Sequence, residues 1–288
     1  MNKLDLKTYL DVKRRMIEQA MDRYLPSEKT EPETIHKAMR YSVFAGGKRL
    51  RPILALASFE LVNGKGTYII PAACALEFLH TYSLIHDDLP CMDDDDLRRG
   101  KPTLHKVFGE GMAVLAGDAL HALAFEILLK TKNSDVLEEV VKAIGTQGMI
   151  GGQVADLEAE GKKISPSQVE YIHSHKTGAL IKASIRVGAM LGDADRKKLD
   201  ALSRFGQKIG LAFQITDDIL DVEGKEEVIG KKTGADQTKA TYPKVFGLEK
   251  SKKMARELAQ SAKKDLAIFD EKKTIFDKLA DYIVSRVN

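Results

Sequence analysis

The amino-acid sequence predicts an all-α fold. Three observations carry that prediction. Apolar residues recur three or four positions apart through most of the 288 residues. No run alternates apolar and polar residues with the β-branched enrichment of a half-buried strand, so no sheet is expected. Breakers such as Asn63-Gly64, Arg99-Gly100-Lys101-Pro102, Gly161 and Gly230 fall between the periodic segments. The first helix is expected from Leu4 to Leu25, with Leu6, Leu10, Val12, Met16, Ala20 and Leu25 as its apolar positions. Helices follow over Glu33–Phe44 and Arg51–Val62. The segment Pro71–Asp88 is apolar nearly all round until its last turn, which places it inside a bundle. Pro71 suits the first turn of that helix, and Pro90 should end it near residue 88. Further helices are expected over Met112–Leu129, Val136–Leu157, Ser167–His175, Gly178–Leu191, Arg196–Val222, Gly247–Phe269 and Glu271–Val287. No repeat, low-complexity tract or linker divides the chain, so residues 1–288 are expected to form a single domain.

Composition excludes several classes. With 43% hydrophobic and 30% charged residues, the chain is not a disordered one. Lys and Arg number 45 against 42 acids, a balance not built to coat nucleic acid. Trp is absent and aromatics make up 6%, which leaves little for stacking bases. Cys74 and Cys91 are too few for a disulfide framework and fit a reducing compartment. The N-terminus is charged throughout, unlike a signal peptide, and no stretch approaches the roughly 18 uncharged apolar residues of a membrane span. A soluble, cytoplasmic protein without a membrane anchor is expected.

Two acidic clusters stand against apolar helix. His86-Asp87-Asp88 ends the buried helix, and Asp93-Asp94-Asp95-Asp96 follow closely. Carboxylates at a helix C-terminus are electrostatically misplaced, because that end already carries partial negative charge. A hard divalent cation is the natural compensation, and a solvated acidic loop is the alternative. The second cluster, Gln214-Ile215-Thr216-Asp217-Asp218-Ile219-Leu220-Asp221, lies within a helical pattern. Asp217 and Asp221 are four apart and share a face, with Asp218 and Gln214 beside them. Carboxylates so crowded repel one another unless a cation binds them. Two such clusters are hard to explain as surface decoration.

The basic residues offer a complement. Gly46-Gly47-Lys48-Arg49-Leu50-Arg51-Pro52 sets two glycines before three cations; Lys48 and Arg51 would share a face, with Arg49 turned away. Glycines before a basic helix start suit phosphate, although a simple turn before a surface helix explains them as well. Arg98 and Arg99 follow the first acidic cluster, where they could pair with the acids or share a phosphate ligand with a metal that the acids hold. His175-Lys176-Thr177-Gly178 pairs a cation with a hydroxyl at a helix junction, and Lys231 and Lys239 follow the second cluster. His80 lies two turns before Asp87 on the same face, as a core histidine or as a ligand. No dinucleotide fingerprint, nucleophile elbow, zinc-protease motif or paired C-x-x-C is present. The inventory suits a substrate with a diphosphate head and a hydrocarbon tail.

The motifs GGKRLRP (46–52), EFLHTYSLIHDDLPCMDDDDLRRGKPTLH (77–105), GEGMAVLAGDAL (109–120), GGQVAD (151–156), HKTGAL (175–180), FQITDDILD (213–221) and KATYP (239–243) resemble those of the trans-isoprenyl diphosphate synthases, in the family order and across essentially the whole chain. The resemblance is greatest to the bacterial farnesyl diphosphate branch. It implies an isoprenoid synthase fold: a helical bundle around a deep central cavity, usually a homodimer. It implies three Mg²⁺ ions at the active site, and condensation of isopentenyl diphosphate with dimethylallyl and geranyl diphosphate. By motif, Asp87, Asp88, Asp93, Asp217, Asp218 and Asp221 are the metal ligands. Arg98, Lys176, Thr177, Gln214, Lys231 and Lys239 touch the allylic diphosphate or its metals, and Gln153 and Asp156 support them. Gly47, Lys48, Arg51, His80 and Arg99 bind isopentenyl diphosphate. Tyr82, five residues before Asp87, sets product length; helix geometry alone would nominate Ser83. Two features depart from the family pattern: a shortened loop before Lys239, and a C-terminus with Arg286 but no further basic residue. The alternatives are a geranylgeranyl diphosphate synthase, a terpene cyclase, which would lack GGKR and LRRG, and a non-catalytic modulatory subunit, which would lack an Asp-rich motif.

Overall fold

The computed structural model describes residues 5–223, 239 and 241–285. They fold as helices in chain order: α1 Leu6–Tyr24, α2 Glu33–Val43, α3 Leu50–Leu61, α4 Ile70–Asp87, α5 Leu104–Phe108, α6 Glu110–Leu129, α7 Ser134–Ile144, α8 Met149–Ala159, α9 Pro166–His173, α10 Ala179–Leu191, α11 Arg196–Glu223, α12 Tyr242–Phe246, α13 Leu248–Asp265 and α14 Thr274–Ser285. The all-α expectation holds, with one small correction. Leu97–Arg98 (β1) and Lys101–Pro102 (β2) pair antiparallel across the turn Arg99-Gly100. Two residues per strand leave no room for an alternating pattern, so periodicity could not reveal them.

Contacts divide the chain into two compact units. The N-terminal unit comprises residues 7–53 and 67–133; the C-terminal unit comprises 1–6, 54–66 and 134–288. In the N-terminal unit α4 packs along α6, with α2 against both. Helix α4 is buried on nearly every side, from Ala72 through Leu79, as its all-round apolar sequence requires. Helix α6 departs from expectation. By length and composition it is long and apolar enough to cross a membrane, although Asp118 and Glu126 lie within it. Its buried side, Ala113, Ala116, Leu120, Ala124 and Ile127, supplies this unit's core, while Val114, Leu115 and Leu129 stay exposed.

In the C-terminal unit α11 is the central element, packed by α10, α13 and α14. The helices depart from expectation at three places. Val136–Leu157 divides into α7 and α8 at Gly145-Thr146-Gln147-Gly148, poor helix formers whose N–H groups turn back, Gly148 to the Gly145 carbonyl. The C-terminal helices stop short at a 3₁₀ segment, Ala267–Lys273, around Asp270. The third departure bears on function: α9 does not end at a loop but runs through a π-helical turn, Ser174–Gly178, into α10. Such turns widen the helix and are frequent at functional sites.

Helix α8 lies directly against that π turn. A Cβ on Gly152 would overlap the backbone of His175 and Lys176. Gly152→Ala is therefore expected to cost about 1–3 kcal/mol, as overpacking does. Urea unfolding checks this, and wild-type stability in the variant would show that the α8 contact gives way freely.

Candidate active site

In the N-terminal unit α2 leads through a tight turn into α3. Gly46 and Gly47 hold φ of 106° and 122°, backbone open to glycine. The space a Gly47 Cβ would fill is taken by the Arg99 guanidinium, which donates to the Gly46 carbonyl oxygen. Lys48 is exposed and Arg51 half-buried, while Arg49 is 2% exposed. Arg49 points inward, donating to Glu77 of α4 at 2.9 Å and to the Val43 carbonyl at 2.7 Å.

The end of α4 shows how the first acidic cluster is built. Past Asp87 the chain winds back, Leu89 N–H to the His86 carbonyl and Met92 N–H to Leu89, until Asp93 N–H bonds the Asp87 carbonyl at 2.8 Å. Asp93 thus returns beside Asp87. Asp88 turns the other way. It is buried and accepts from Arg98 Nε at 2.8 Å, while Arg98 also reaches Asp95 at 2.9 Å. The small hairpin presents Arg98 and Arg99 from adjacent positions to different partners.

His80 faces this collection of cations. Desolvation, then the charges of Arg51, Arg99, Arg98 and Arg49, hold its imidazole well below the usual 6.5. Tyr82 is buried one turn before His86, its ring edge-on to His121 of α6 at 4.9 Å and to His86 at 5.8 Å. Burial, then Asp87, push its phenol up to about 12, so it stays neutral. Its hydroxyl is buried without a hydrogen-bond partner. Ser83 is half-buried and spends its hydroxyl on the His80 carbonyl.

In the C-terminal unit the π turn presents Lys176 and Thr177. Lys176 Nζ is held by Asp156 of α8 at 2.6 Å; Thr177 donates to Gln214 at 2.6 Å. Gln214 in turn donates to Asp218 at 3.1 Å. Asp218 is a buried hub: it also accepts from His173 Nε2 at 2.7 Å and from Tyr242 N–H at 2.9 Å. Asp217 and Asp221 occupy the more open face of α11. Each acidic motif therefore holds one buried carboxylate, Asp88 or Asp218, that ties secondary elements together, beside half-buried ones, Asp87 with Asp93 and Asp217 with Asp221. The family resemblance gives Asp88 a share of two metals with Asp87 and Asp93, and Asp218 a supporting part beside Asp217. Lys239 is half-exposed, its carbonyl accepting from Lys244; Lys231 and Arg286 lie outside the described residues.

The half-buried carboxylates offer an all-oxygen donor set, which suits a hard cation such as Mg²⁺. Among the described residues no three His, Cys, Asp or Glu side chains converge as a complete metal cage.

Three residues here escaped the sequence reading. Glu77 had a signal: a lone carboxylate in an otherwise apolar helix needs a buried partner, and Arg49 is that partner. His173 and His121 had none, since their partners lie 45 residues away and on another helix respectively.

His80 sets a pH dependence. The unfolded state takes up a proton near 6.5 that the native state refuses, so this contribution to stability is complete above that value and falls as pH drops below it. Urea midpoints measured at about pH 5 and pH 7.5 should show that loss, and His80→Gln should reduce the difference. An unchanged difference in the variant would assign the acid sensitivity elsewhere.

Comparison with known proteins places this geometry. Residues 32–279 match the family model described as polyprenyl synthetase. The chain is 48% identical over 299 residues to the chloroplastic heterodimeric geranylgeranyl pyrophosphate synthase large subunit 1 of Arabidopsis thaliana, covering 99% of this chain and 80% of that one. It is 48% identical over 263 residues to the farnesyl diphosphate synthase of Geobacillus stearothermophilus, covering 88% of each. The structure of a polyprenyl synthase from Caulobacter crescentus, complexed with calcium and isoprenyl diphosphate, superimposes with a TM-score of 0.90 at 28% identity, covering 98% of this chain and 97% of that one. With the family model matching residues 32–279 and relatives 48% identical across most of the chain, it belongs to the polyprenyl synthetase family and is a short-chain prenyltransferase.

Proposed function

We propose that this prenyltransferase makes farnesyl diphosphate, condensing isopentenyl diphosphate with dimethylallyl and then geranyl diphosphate. Both units serve the one activity, in the cytoplasm and as a homodimer; the exposed apolar residues Val114, Leu115 and Leu129 of α6 support self-association. The observation that carries the product length is Tyr82. Its ring stands five residues before Asp87 on α4, about 7.5 Å along the axis, and is braced edge-on by His121. A hydrocarbon tail extending along α4 from a diphosphate held at Asp87 meets that ring.

Mg²⁺ would suit the half-buried carboxylates: Asp87 and Asp93 would hold two ions and Asp217 with Asp221 a third, and the metal would supply neutralisation of charge on the departing diphosphate. The chain's own groups do the rest. Lys176, oriented by Asp156, and Thr177, oriented by Gln214, grip the allylic diphosphate, with Arg98 and Lys239 adding charge. The allylic C–O bond breaks and the diphosphate leaves with the electron pair. Lys48, Arg51 and Arg99 hold isopentenyl diphosphate by its phosphates, and neutral His80 adds a hydrogen bond. The double bond attacks the allylic cation, and a proton is lost to the released diphosphate. The protein supplies position, charge and exclusion of water, and no protein nucleophile is required.

Incubation with isopentenyl and dimethylallyl diphosphates and Mg²⁺ should yield a fifteen-carbon product, and EDTA should stop turnover. Asp87→Ala and Asp217→Ala should each lower the rate by on the order of 10³-fold or more with the fold retained. Near-normal rates in either variant would remove the metal assignment.

Tyr82→Ala should lengthen the product to twenty carbons or more in an active enzyme. If Tyr82 is core alone, the same change costs about 3–5 kcal/mol of stability and leaves the product unchanged. A wild-type product of mainly twenty carbons would overturn the chain length and leave the reaction class standing.

A further inference from the structure

The inward-facing Arg49 binds no ligand in the scheme above, and neither does Glu77. Yet the two form a buried ion pair, 2.9 Å apart, with side chains only 1% exposed on each side. Burying both charges gains little stability over a well-packed apolar pair of the same volume. What the pair does supply is geometry. Arg49 stands at the start of α3, where its carbonyl accepts from Ile53 N–H, and its φ of 52° is in the left-handed region that only glycine enters freely. Three of the four residues 46–49 thus hold positive φ. A turn of this kind persists only when its surroundings over-determine it. The Arg49 guanidinium does so from beneath: one nitrogen on Glu77 of α4, another on the Val43 carbonyl at the end of α2, and Nε 3.5 Å from Glu18 of α1. Lys48, beside it, is exposed, and Arg51, two residues on, is half-buried. Glu77 is also one turn before His80 on α4 and near enough for its charge to act on Arg99. A single buried carboxylate thus anchors the turn and offsets the cations gathered around it.

We propose that Arg49 and Glu77 are positioning residues for isopentenyl diphosphate, holding the turn of residues 46–51 so that Lys48 and Arg51 present their charges to its phosphates. This rests on the assignment of Lys48 and Arg51 to that substrate. The pair leaves the allylic substrate alone, because Lys176 and Thr177 are held by their own partners, Asp156 and Gln214.

The test is the double variant Arg49→Met/Glu77→Leu, which removes both charges at similar volume, beside Arg49→Lys and Lys48→Ala. Steady-state kinetics with each substrate varied, and thermal unfolding, are the readouts. The double variant should keep a melting temperature near wild type, yet lose about ten- to 10²-fold in kcat/KM for isopentenyl diphosphate through KM, with the allylic KM unchanged. Arg49→Lys keeps the charge pair but lacks the fork, and should show the same selective loss to a smaller degree. It also carries the test should the double variant fail to fold. Native kinetics for both substrates in the double variant or in Arg49→Lys would make the pair structural only and overturn the proposal, as would an equal rise in both KM values. Lys48→Ala separates the two layers. If it raises the isopentenyl KM while the pair variants do not, the positioning role falls and the site stands. If Lys48→Ala moves neither KM, the site assignment falls and the positioning role with it.

Discussion

Like charges held close together repel, and the acidic and cationic motifs of this chain each crowd several of them together. The structure meets that constraint in the same way at each motif: one charged residue is turned inward against a buried partner of opposite charge or a set of donors, and its neighbours are left more exposed. Asp88 takes Arg98, Arg49 takes Glu77, and Asp218 takes His173, Gln214 and a backbone N–H. The inward member is satisfied inside the bundle, where an unpaired charge would be costly. The backbone beside each inward member is held by what that member grips.

Helix ends and irregular turns carry the first acidic cluster and the cationic motifs, while the second acidic cluster lies within α11 itself. A regular helix cannot place adjacent residues on opposite missions without turning one toward the apolar core. The C-terminal unwinding after Asp87, the left-handed turn at residues 46–49, the β1–β2 turn at Arg99 and the π turn at residues 174–178 each break that regularity at a motif. Long regular helices, α4, α6 and α11 above all, then serve as rigid walls from which these irregular pieces are hung.

The apolar side of the chemistry uses different physics. Tyr82 is neutral and buried, and it meets rings rather than charges: His121 and His86 both pack edge-on against it. Edge-on ring contacts fix a side chain's position without requiring a polar partner, which leaves the hydroxyl of Tyr82 buried and unbonded. A wall built this way can stop a hydrocarbon without binding it.

The sequence by itself determined the helical class and most element ends, and its motifs pointed to the family. Periodicity is local, so α1, α2, α3, α4 and α11 were legible to within a residue or two, and crowded Asp residues and glycine-led cations pointed to metal and diphosphate. What the tertiary structure alone decided was which way each charged residue faces. Spacing along a helix says that Asp217 and Asp221 share a face, but not that Asp218 meets His173 and the backbone of Tyr242, since those partners arrive from elements far away in sequence. The same holds for Arg49, which spacing correctly turned away from Lys48 and Arg51 but could not join to Glu77, 28 residues on. The π turn at 174–178 likewise lies where α8 brings Gly152 against Lys176, whereas the break at 145–148 falls on its own glycines. Local pattern is written in the order of residues; the partners of a buried charge are set only when distant segments close around it.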